Sequence, residues 1–241
     1  MKFKRILKYV FFIVLATGLG VLYSFTSVRN QQIKIGRPVV EFQEGENNFL
    51  THAMVNKLLI QNNKTVVNQA KSVIDLYDLE NKVLKNPYVE EVAVFLTIDG
   101  TLKSVIKQRT PVARIFGKKD SYYIDKTGIK VPLSDNYSAR VLLISGIKTD
   151  QDITAVLPLV SFILADNFLK KELVGIAKFD NGDYQLSVRS GDYKIDFGNL
   201  SGIDVKFKKL KAFYNKTFED KTIENYKTIN VKYHNQVVCT K

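Results

Sequence analysis

The first hydrophobic feature of the chain is a run of twenty residues without a formal charge, at residues 9–28. A helix of that length rises about 1.5 Å per residue and spans about 30 Å, the thickness of a bilayer's hydrocarbon core. Four cationic residues precede it: Lys2, Lys4, Arg5 and Lys8. Because such clusters stay in the cytoplasm, the pattern predicts a cytoplasmic tail at 1–8, a transmembrane anchor at 9–28 and export of the remaining chain.

A cleaved signal peptide is the competing interpretation of the same run. Near its end, the segment from Ser24 to Ser27 has no Ala-x-Ala-like cleavage site, and the run is longer than a usual signal-peptide core. Both observations favour an uncleaved anchor.

Beyond the anchor, the pattern predicts a small α+β unit that extends to Thr110. A strand at 31–42 is followed by one helix that begins after Thr51 and by another that Asp78 caps. Two alternating runs come next, and Asp99-Gly100 joins them. This dipeptide predicts a type I′ hairpin turn, in which both central residues have positive φ.

From Pro111 onward, short strands separated by turns predominate, and two helices are predicted among them, at 153–165 and 201–218. The first is too short to cross a bilayer, so burial against a sheet is expected. The predicted fold class is α+β: a single N-terminal transmembrane helix, a small α+β domain at 29–110, and a mostly antiparallel β domain with packed helices at 111–241.

The end of the chain shows strict alternation of apolar residues, which predicts a strand from Ile229 to Val238. A strand placed so late in the chain is a candidate sheet edge, where a partner strand can pair with the backbone. A central strand, paired on both sides, fits the same pattern equally well.

Charge and cysteine content narrow the function classes. The formal net charge is +12, and the N-terminal cluster contributes four of these charges, which leaves +8 on the exported part. This positive charge would favour binding to an anionic lipid or wall polymer, or it reflects a generally basic surface. Nucleic acid is not expected as a partner of an exported domain. Cys239 is the single cysteine, so an intrachain disulfide is impossible.

Candidate catalytic chemistry is sparse. His52 and His234 lie far apart and belong to no metal or triad signature, and no phosphate-binding or nucleophile motif occurs. Asp150 and Asp152 have the spacing of a D-x-D metal-nucleotide site, as in a type II membrane-anchored glycosyltransferase-like enzyme. They are also explained as turn and N-cap residues. The sequence therefore predicts no catalytic residue, metal, cofactor or small-molecule substrate.

Several segments resemble the bacterial cell-division family FtsQ, also called DivIB. The resemblance is carried by Leu79–Phe116, with its Asn-Pro-Tyr-Val and Arg-Thr-Pro-Val-Ala runs, by Tyr122–Ser134, and by the ending Tyr233–Val238. It implies a single-pass protein of the inner membrane, with a POTRA domain and then a β domain in the periplasm, and no enzymatic activity. Tandem-POTRA outer-membrane assembly factors fit less well, because no internal repeat is present.

The resemblance also implies partners. Members of this family join two small coiled-coil division proteins, FtsB and FtsL, and help to regulate septal peptidoglycan synthesis, with FtsB adding a β-strand at the last strand of the β domain. Carried onto this chain, the partner-binding positions lie in the predicted final strand: Ile229, Val231, Tyr233, Asn235, Gln236, Val237 and Val238.

Overall fold

The computed structural model describes residues 2–31, 33–43, 49–61, 64–117, 120–220, 222–234 and 236–241. Within them the chain divides into two compact units. The first ends at Gln108, and the second consists of Phe49 and the residues from Arg109 onward. Each unit is described by itself.

The first element is a long helix, α1, at Lys2–Gln31. Residues Lys8–Arg29 form a stretch that is long and apolar enough to cross a membrane, and none of it is buried in the protein. This fits the predicted transmembrane helix. Helix α1 continues to Gln31, and the strand expected at 31–42 is shorter than predicted, since it begins only at Val39.

The first unit combines a three-stranded sheet with two helices. Its remaining elements are β1 Val39–Phe42, α2 His52–Leu58, β2 Ile60–Gln61, β3 Lys64–Thr65, a 3-10 turn at Lys71–Val73, α3 Leu76–Leu84, β4 Val89–Leu96 and β5 Leu102–Gln108. The sheet order is β1-β5-β4, with β1 parallel and β4 antiparallel to β5, while β2 and β3 form a separate pair. The core between sheet and helices includes Val55, Leu79, Val83 and Ile106, all fully buried.

Both helices of this unit begin at side-chain caps. The Thr51 hydroxyl accepts a hydrogen bond from the Met54 amide, as expected. The predicted cap of α3, Asp78, was wrong by three positions, since Asp75 is the N-cap and accepts the bond from the Asp78 amide over 2.9 Å. Asp78 instead lies in the first turn, where its carboxylate pairs with Lys82.

The β4–β5 connection is not the predicted type I′ turn. The Thr97 amide bonds to the Thr101 carbonyl, and the Gly100 amide bonds to the Thr97 carbonyl, so the loop holds three residues. Gly100 has φ +86°, whereas Asp99 does not have positive φ. One left-handed residue at the third loop position is typical of a bulged three-residue hairpin, and the Asp99 carboxylate bonds to the Thr101 hydroxyl beside it.

The second unit is a nine-stranded sheet with helices packed on it. Its elements are β6 Pro111–Phe116, β7 Ser121–Asp125, β8 Lys130–Pro132, β9 Leu142–Ser145, α4 Asp150–Ala165, α5 Asn167–Glu172, β10 Leu173–Lys178, β11 Tyr184–Val188, β12 Lys194–Gly198, α6 Ile203–Glu219, a 3-10 turn at Ile223–Asn225, β13 Thr228–Asn230 and β14 Val238–Thr240. The strand order is β14-β13-β12-β11-β10-β9-β6-β7-β8, and most neighbours are antiparallel. The mixed α+β class is confirmed.

The core of the second unit lies between the sheet and helices α4 and α6. Helix α4 buries a stripe that includes Val156, Leu159 and Ile163, and it continues through Pro158. Phe207 of α6 stacks on Phe162 of α4, with ring centroids 5.2 Å apart. The apolar run at 153–165 is therefore a buried helix, as its length predicted.

The single final strand predicted from Ile229 to Val238 is wrong. The chain forms two short antiparallel strands, β13 and β14, and reverses direction between them. The Asn230 side chain accepts a hydrogen bond from the Lys232 amide over 3.0 Å, which turns the backbone at the end of β13. An alternating pattern cannot distinguish one strand from two strands of matching parity joined by a reversal.

Candidate partner-binding site

The last strand of the chain lies at one edge of the nine-stranded sheet. Strand β14 pairs with β13 in the register Thr228↔Thr240, Ile229↔Cys239 and Asn230↔Val238. It stands at the end of the strand order, so within the described residues only one of its two sides is paired. An unpaired side presents backbone N–H and C=O groups that another strand can bind.

Strand β13 is an interior strand. It pairs with β12 in parallel on one side and with β14 on the other. The candidate edge is thus β14, and β13 is the strand that supports it. Ile229 and Val231 are fully buried, so their side chains belong to the core and not to a binding surface.

Helix α6 holds the reversal between the two strands. The Lys209 ammonium donates to the Val231 carbonyl over 3.0 Å and also to the Tyr233 carbonyl. Nearby, the Lys232 ammonium pairs with the Asp183 carboxylate over 2.9 Å, which raises the pKa of Lys232. These contacts hold the segment that presents Tyr233 close to the edge strand.

The predicted partner-binding residues divide into three groups. Tyr233, Gln236 and Val238 are exposed, with Tyr233 at 51% and Val238 at 39%. Ile229 and Val231 are fully buried, and Val237 is half-buried and packs against the same core. Asn235 lies outside the described residues. The surface that the structure presents is therefore smaller than the predicted set, and its side chains are Tyr233, Gln236 and Val238.

Two residues of the edge strand were missed by the sequence-based prediction. Cys239 and Thr240 belong to β14, and Cys239 is half-buried against the core, where burial raises the pKa of its thiol. The signal was present, because Cys239 continues the parity of Val237. The predicted strand nevertheless ended at Val238, two residues before the end of β14.

A buried lysine stiffens the region next to this edge. Lys206 of α6 is 7% exposed, and its ammonium donates to the Asn199 carbonyl over 2.7 Å and lies 5.0 Å from the centre of the Phe197 ring. Burial lowers the pKa of Lys206. The ammonium ties the start of α6 to the end of β12, the strand next to β13.

The two aspartates of the D-x-D motif are engaged in structural contacts. Asp150 pairs with Lys130 over 2.7 Å. Asp152 completes a capping box with Thr149 and pairs with Lys178 over 3.1 Å. Hydrogen bonds from the Lys148 amide and then from Lys178 and Thr149 lower the pKa of Asp152 to about 2. Asp152 therefore stabilises the start of α4, and Asp150 makes an exposed ion pair there.

The two histidines belong to different units of the chain. His52 lies at the start of α2, with its ring edge-on to Phe42 at 4.9 Å, and His234 is an exposed residue of the β13–β14 reversal. Within the described parts of the chain, no three His, Cys, Asp or Glu side chains are grouped so that they could hold a metal ion.

Comparison with known families gives two matches. A family model described as FtsQ/DivIB, C-terminal related, matches residues 110–240, more than half of the chain. A POTRA-like domain model matches residues 39–107. A search of curated proteins found no match. The structure has the matching parts: a long apolar helix α1, a POTRA-like unit and a β domain that ends on an edge strand. The chain belongs to the FtsQ/DivIB family of cell-division scaffold proteins.

Proposed function

We propose that this chain is a non-enzymatic scaffold that recruits small coiled-coil division proteins of the FtsB and FtsL type and thereby helps to regulate septal peptidoglycan synthesis. Helix α1 anchors it in the cytoplasmic membrane as a single-pass type II protein. The POTRA-like domain at 29–110 and the β domain at 111–241 lie in the periplasm.

The observation that supports this proposal best is the edge strand β14. An added strand obtains affinity from main-chain hydrogen bonds, and pockets or exposed side chains next to the edge provide specificity. Tyr233 and Val238 are the large exposed apolar residues of this end of the chain. A bound strand would therefore pair with β14 while its side chains contact Tyr233 and Val238.

The reversal between β13 and β14 makes this edge available. The supporting strand β13 carries Ile229 into the core, so β14 is attached to a rigid sheet rather than to a loop. A rigid edge lowers the entropic cost of binding because only the partner's strand must become ordered.

Substitutions at the edge test the proposal. In the full-length chain, Val238→Asp and Tyr233→Ala should each weaken co-purification with FtsB- and FtsL-type partners by about tenfold, since each removes an exposed apolar side chain that contacts the bound strand. The matched control is Ile129→Ala, which removes an apolar side chain of similar exposure, 46%, near the opposite edge strand β8.

The control variant should bind its partners like the unchanged protein. Circular dichroism and the thermal unfolding midpoint should confirm that all three variants are folded. Full partner binding by a folded Val238→Asp chain would show that the edge-strand mechanism is wrong.

A further inference from the structure

A groove in the second unit lies at the amino-terminal ends of three neighbouring parallel strands, β6, β9 and β10. Its volume is about 600 Å³. Most of its lining is aliphatic and includes Pro111, Val112, Leu142, Leu143, Leu173 and Val174. Leu143 is half exposed, at 51%. The groove thus presents apolar surface to solvent at a distance along the sheet from β14.

Cationic side chains border this apolar floor. Arg140, Lys170 and Arg189 line the groove, and all three residues are exposed. A second hollow of about 470 Å³ shares Lys170 and Arg189 with the groove and is lined otherwise by Asn167 and Lys171. The two hollows therefore form one surface with an apolar part and a cationic part, which we call the basic groove.

These cations have no ion-pair partner among the described residues. The Arg189 Nε donates to the Lys171 carbonyl over 3.0 Å, which holds the guanidinium at the rim. The carboxylates of Glu172 and Asp166, on the same helix α5 and its cap, are engaged elsewhere. Glu172 accepts hydrogen bonds from the hydroxyls of Ser190 and Tyr193, and Asp166 pairs with Lys211.

Four cations close together repel one another unless an anion approaches, so the basic groove has unsatisfied positive charge. The aliphatic floor next to them gains free energy when an apolar side chain covers it. A ligand that satisfies both parts carries carboxylates directly beside aliphatic side chains. We propose that the basic groove is a second docking site, which binds an acidic segment of a partner protein that packs Leu- or Ile-type side chains on the aliphatic residues at the ends of β6, β9 and β10.

The shape and lining favour a peptide over the other polyanions that an exported basic domain meets. A bilayer surface is contacted by protruding apolar residues, whereas most of this apolar surface is the floor of a concave groove. Glycan chains and bases stack on aromatic rings, and none of the residues that line the groove is aromatic. The proposal does not depend on β14 or on the identity of its partners.

The test uses the full-length chain in neutral detergent and a fluorescein-labelled peptide with the core Glu-Glu-Leu-Leu-Glu-Glu. Two matched peptides replace every Glu with Gln or both Leu with Ser. Fluorescence anisotropy should show that each replacement weakens binding by about tenfold, because the charged and apolar parts of the groove both contribute.

Protein variants locate the site. The double variant Lys170→Glu/Arg189→Glu should weaken binding of the Glu-Leu peptide by about tenfold or more, because like charges then face the peptide. Leu143→Ser should weaken binding of the Glu-Leu peptide but should not change binding of the peptide with Ser in place of Leu. The control is Lys208→Glu/Lys216→Glu, which makes the same charge change on exposed residues of α6 and should change the affinity by less than about twofold.

Several outcomes would overturn the proposal. An equal loss in the control variant would show that net charge alone attracts the peptide. Binding of heparin or of phosphatidylglycerol vesicles that depends on Lys170 and Arg189, without preference for the Glu-Leu peptide, would assign the groove to a polymer or to lipid instead. If Leu143→Ser leaves the affinity of the Glu-Leu peptide unchanged, the aliphatic floor does not take part.

Discussion

The Arg109 guanidinium donates a hydrogen bond to the Asp125 carboxylate over 2.8 Å, and the two side chains are only 15% and 5% exposed. The other carboxylate oxygen accepts bonds from the Thr127 amide and hydroxyl and from the Ile129 amide. Arg109, the residue at which the second unit resumes, is thereby joined to the loop between β7 and β8.

Replacing Asp125 with Asn should destabilise the second unit by about 2–4 kcal/mol, because the guanidinium of Arg109 loses its partner while remaining mostly buried. Urea unfolding followed by circular dichroism measures this change. Lys148→Gln breaks an ion pair of similar length, 2.6 Å, whose side chains are exposed at 65% and 84%, and should leave the unfolding midpoint unchanged. Equal effects of the two substitutions would contradict the stabilising role of the buried Arg109–Asp125 pair.

The same carboxylate predicts a pH dependence. Burial alone would raise the pKa of Asp125, but the hydrogen bonds from Thr127, Ile129 and Arg109 outweigh it and hold the pKa below its usual value. A lowered folded-state pKa contributes stability above the unfolded pKa of about 4, and this contribution is lost as the pH falls through the folded value. The free energy of unfolding of the unchanged chain should therefore decrease as the pH is lowered beneath about 4. In the Asp125→Asn variant this decrease should be less steep.

The Arg109–Asp125 contact also predicts where the β domain can be cut from the chain. A fragment of residues 109–241 should unfold at a higher temperature than one of residues 111–241, since only the longer fragment retains the partner of Asp125. Both fragments lack Phe49, whose ring packs edge-on against Tyr137 at 5.0 Å. Loss of this contact therefore affects the two fragments equally and does not contribute to the difference between them. Calorimetry compares them, and failure of both to fold would argue against an independent domain from residue 111.

Asp150 and Asp152 should respond differently to substitution. Asp152→Asn removes a carboxylate whose pKa is about 2, so the variant should lose the stability that this group contributes above about pH 4 and that disappears between about pH 4 and pH 2. Thr149→Ala, at the other half of the capping box, should cost about 1 kcal/mol.

Asp150→Asn removes only an exposed ion pair with Lys130, so the fold and the ability to support division should be unchanged. Complementation of a depleted strain measures this. Loss of complementation by a folded Asp150→Asn chain would revive the glycosyltransferase-like interpretation of the D-x-D motif.

Two glycines with left-handed backbones provide a matched pair of stability probes. Gly146 has φ +80° and Gly182 has φ +85°, so Ala at either position is strained by about 1 kcal/mol. At Gly146 an added Cβ would collide with the Lys178 backbone carbonyl of β10, whereas at Gly182 nothing lies within 4 Å. Gly146→Ala should therefore lower the unfolding temperature far more than Gly182→Ala, and similar shifts would contradict the close approach of β9 and β10.

The orientation of α1 is testable through its flanking charges. Lys2, Lys4, Arg5 and Lys8 precede the apolar stretch, and Arg29 lies at its far end, so the C-terminus should lie outside the cytoplasm. A reporter that is active only in the periplasm should function when fused after Lys241. Replacing the four N-terminal charges with Gln should reduce its activity, and a functional cytoplasmic reporter at the same position would overturn the proposed topology.

Local patterns in the sequence were sufficient to predict those features that depend on residues close to one another in the chain. The apolar run of α1, the Thr51 cap, the alternation of β4 and β5 and the apolar stripe of α6 each follow from residues within a few positions of one another. Their periodicities directly reflect the geometry of helices and strands. The mixed α+β class and the family resemblance rest on the same local signals.

Long-range contacts decided the rest. Phe49 belongs to the second unit because its ring meets Tyr123 and Tyr137, more than seventy residues along the chain. The predicted final strand is two strands, and Lys209 of α6 binds carbonyls of the reversal between them, so that β14 and not β13 is the sheet edge. The basic groove likewise exists only where β6, β9 and β10 come together. Periodicity specifies which face of an element is apolar, but strand order and side-chain partners depend on packing between residues that are remote in sequence.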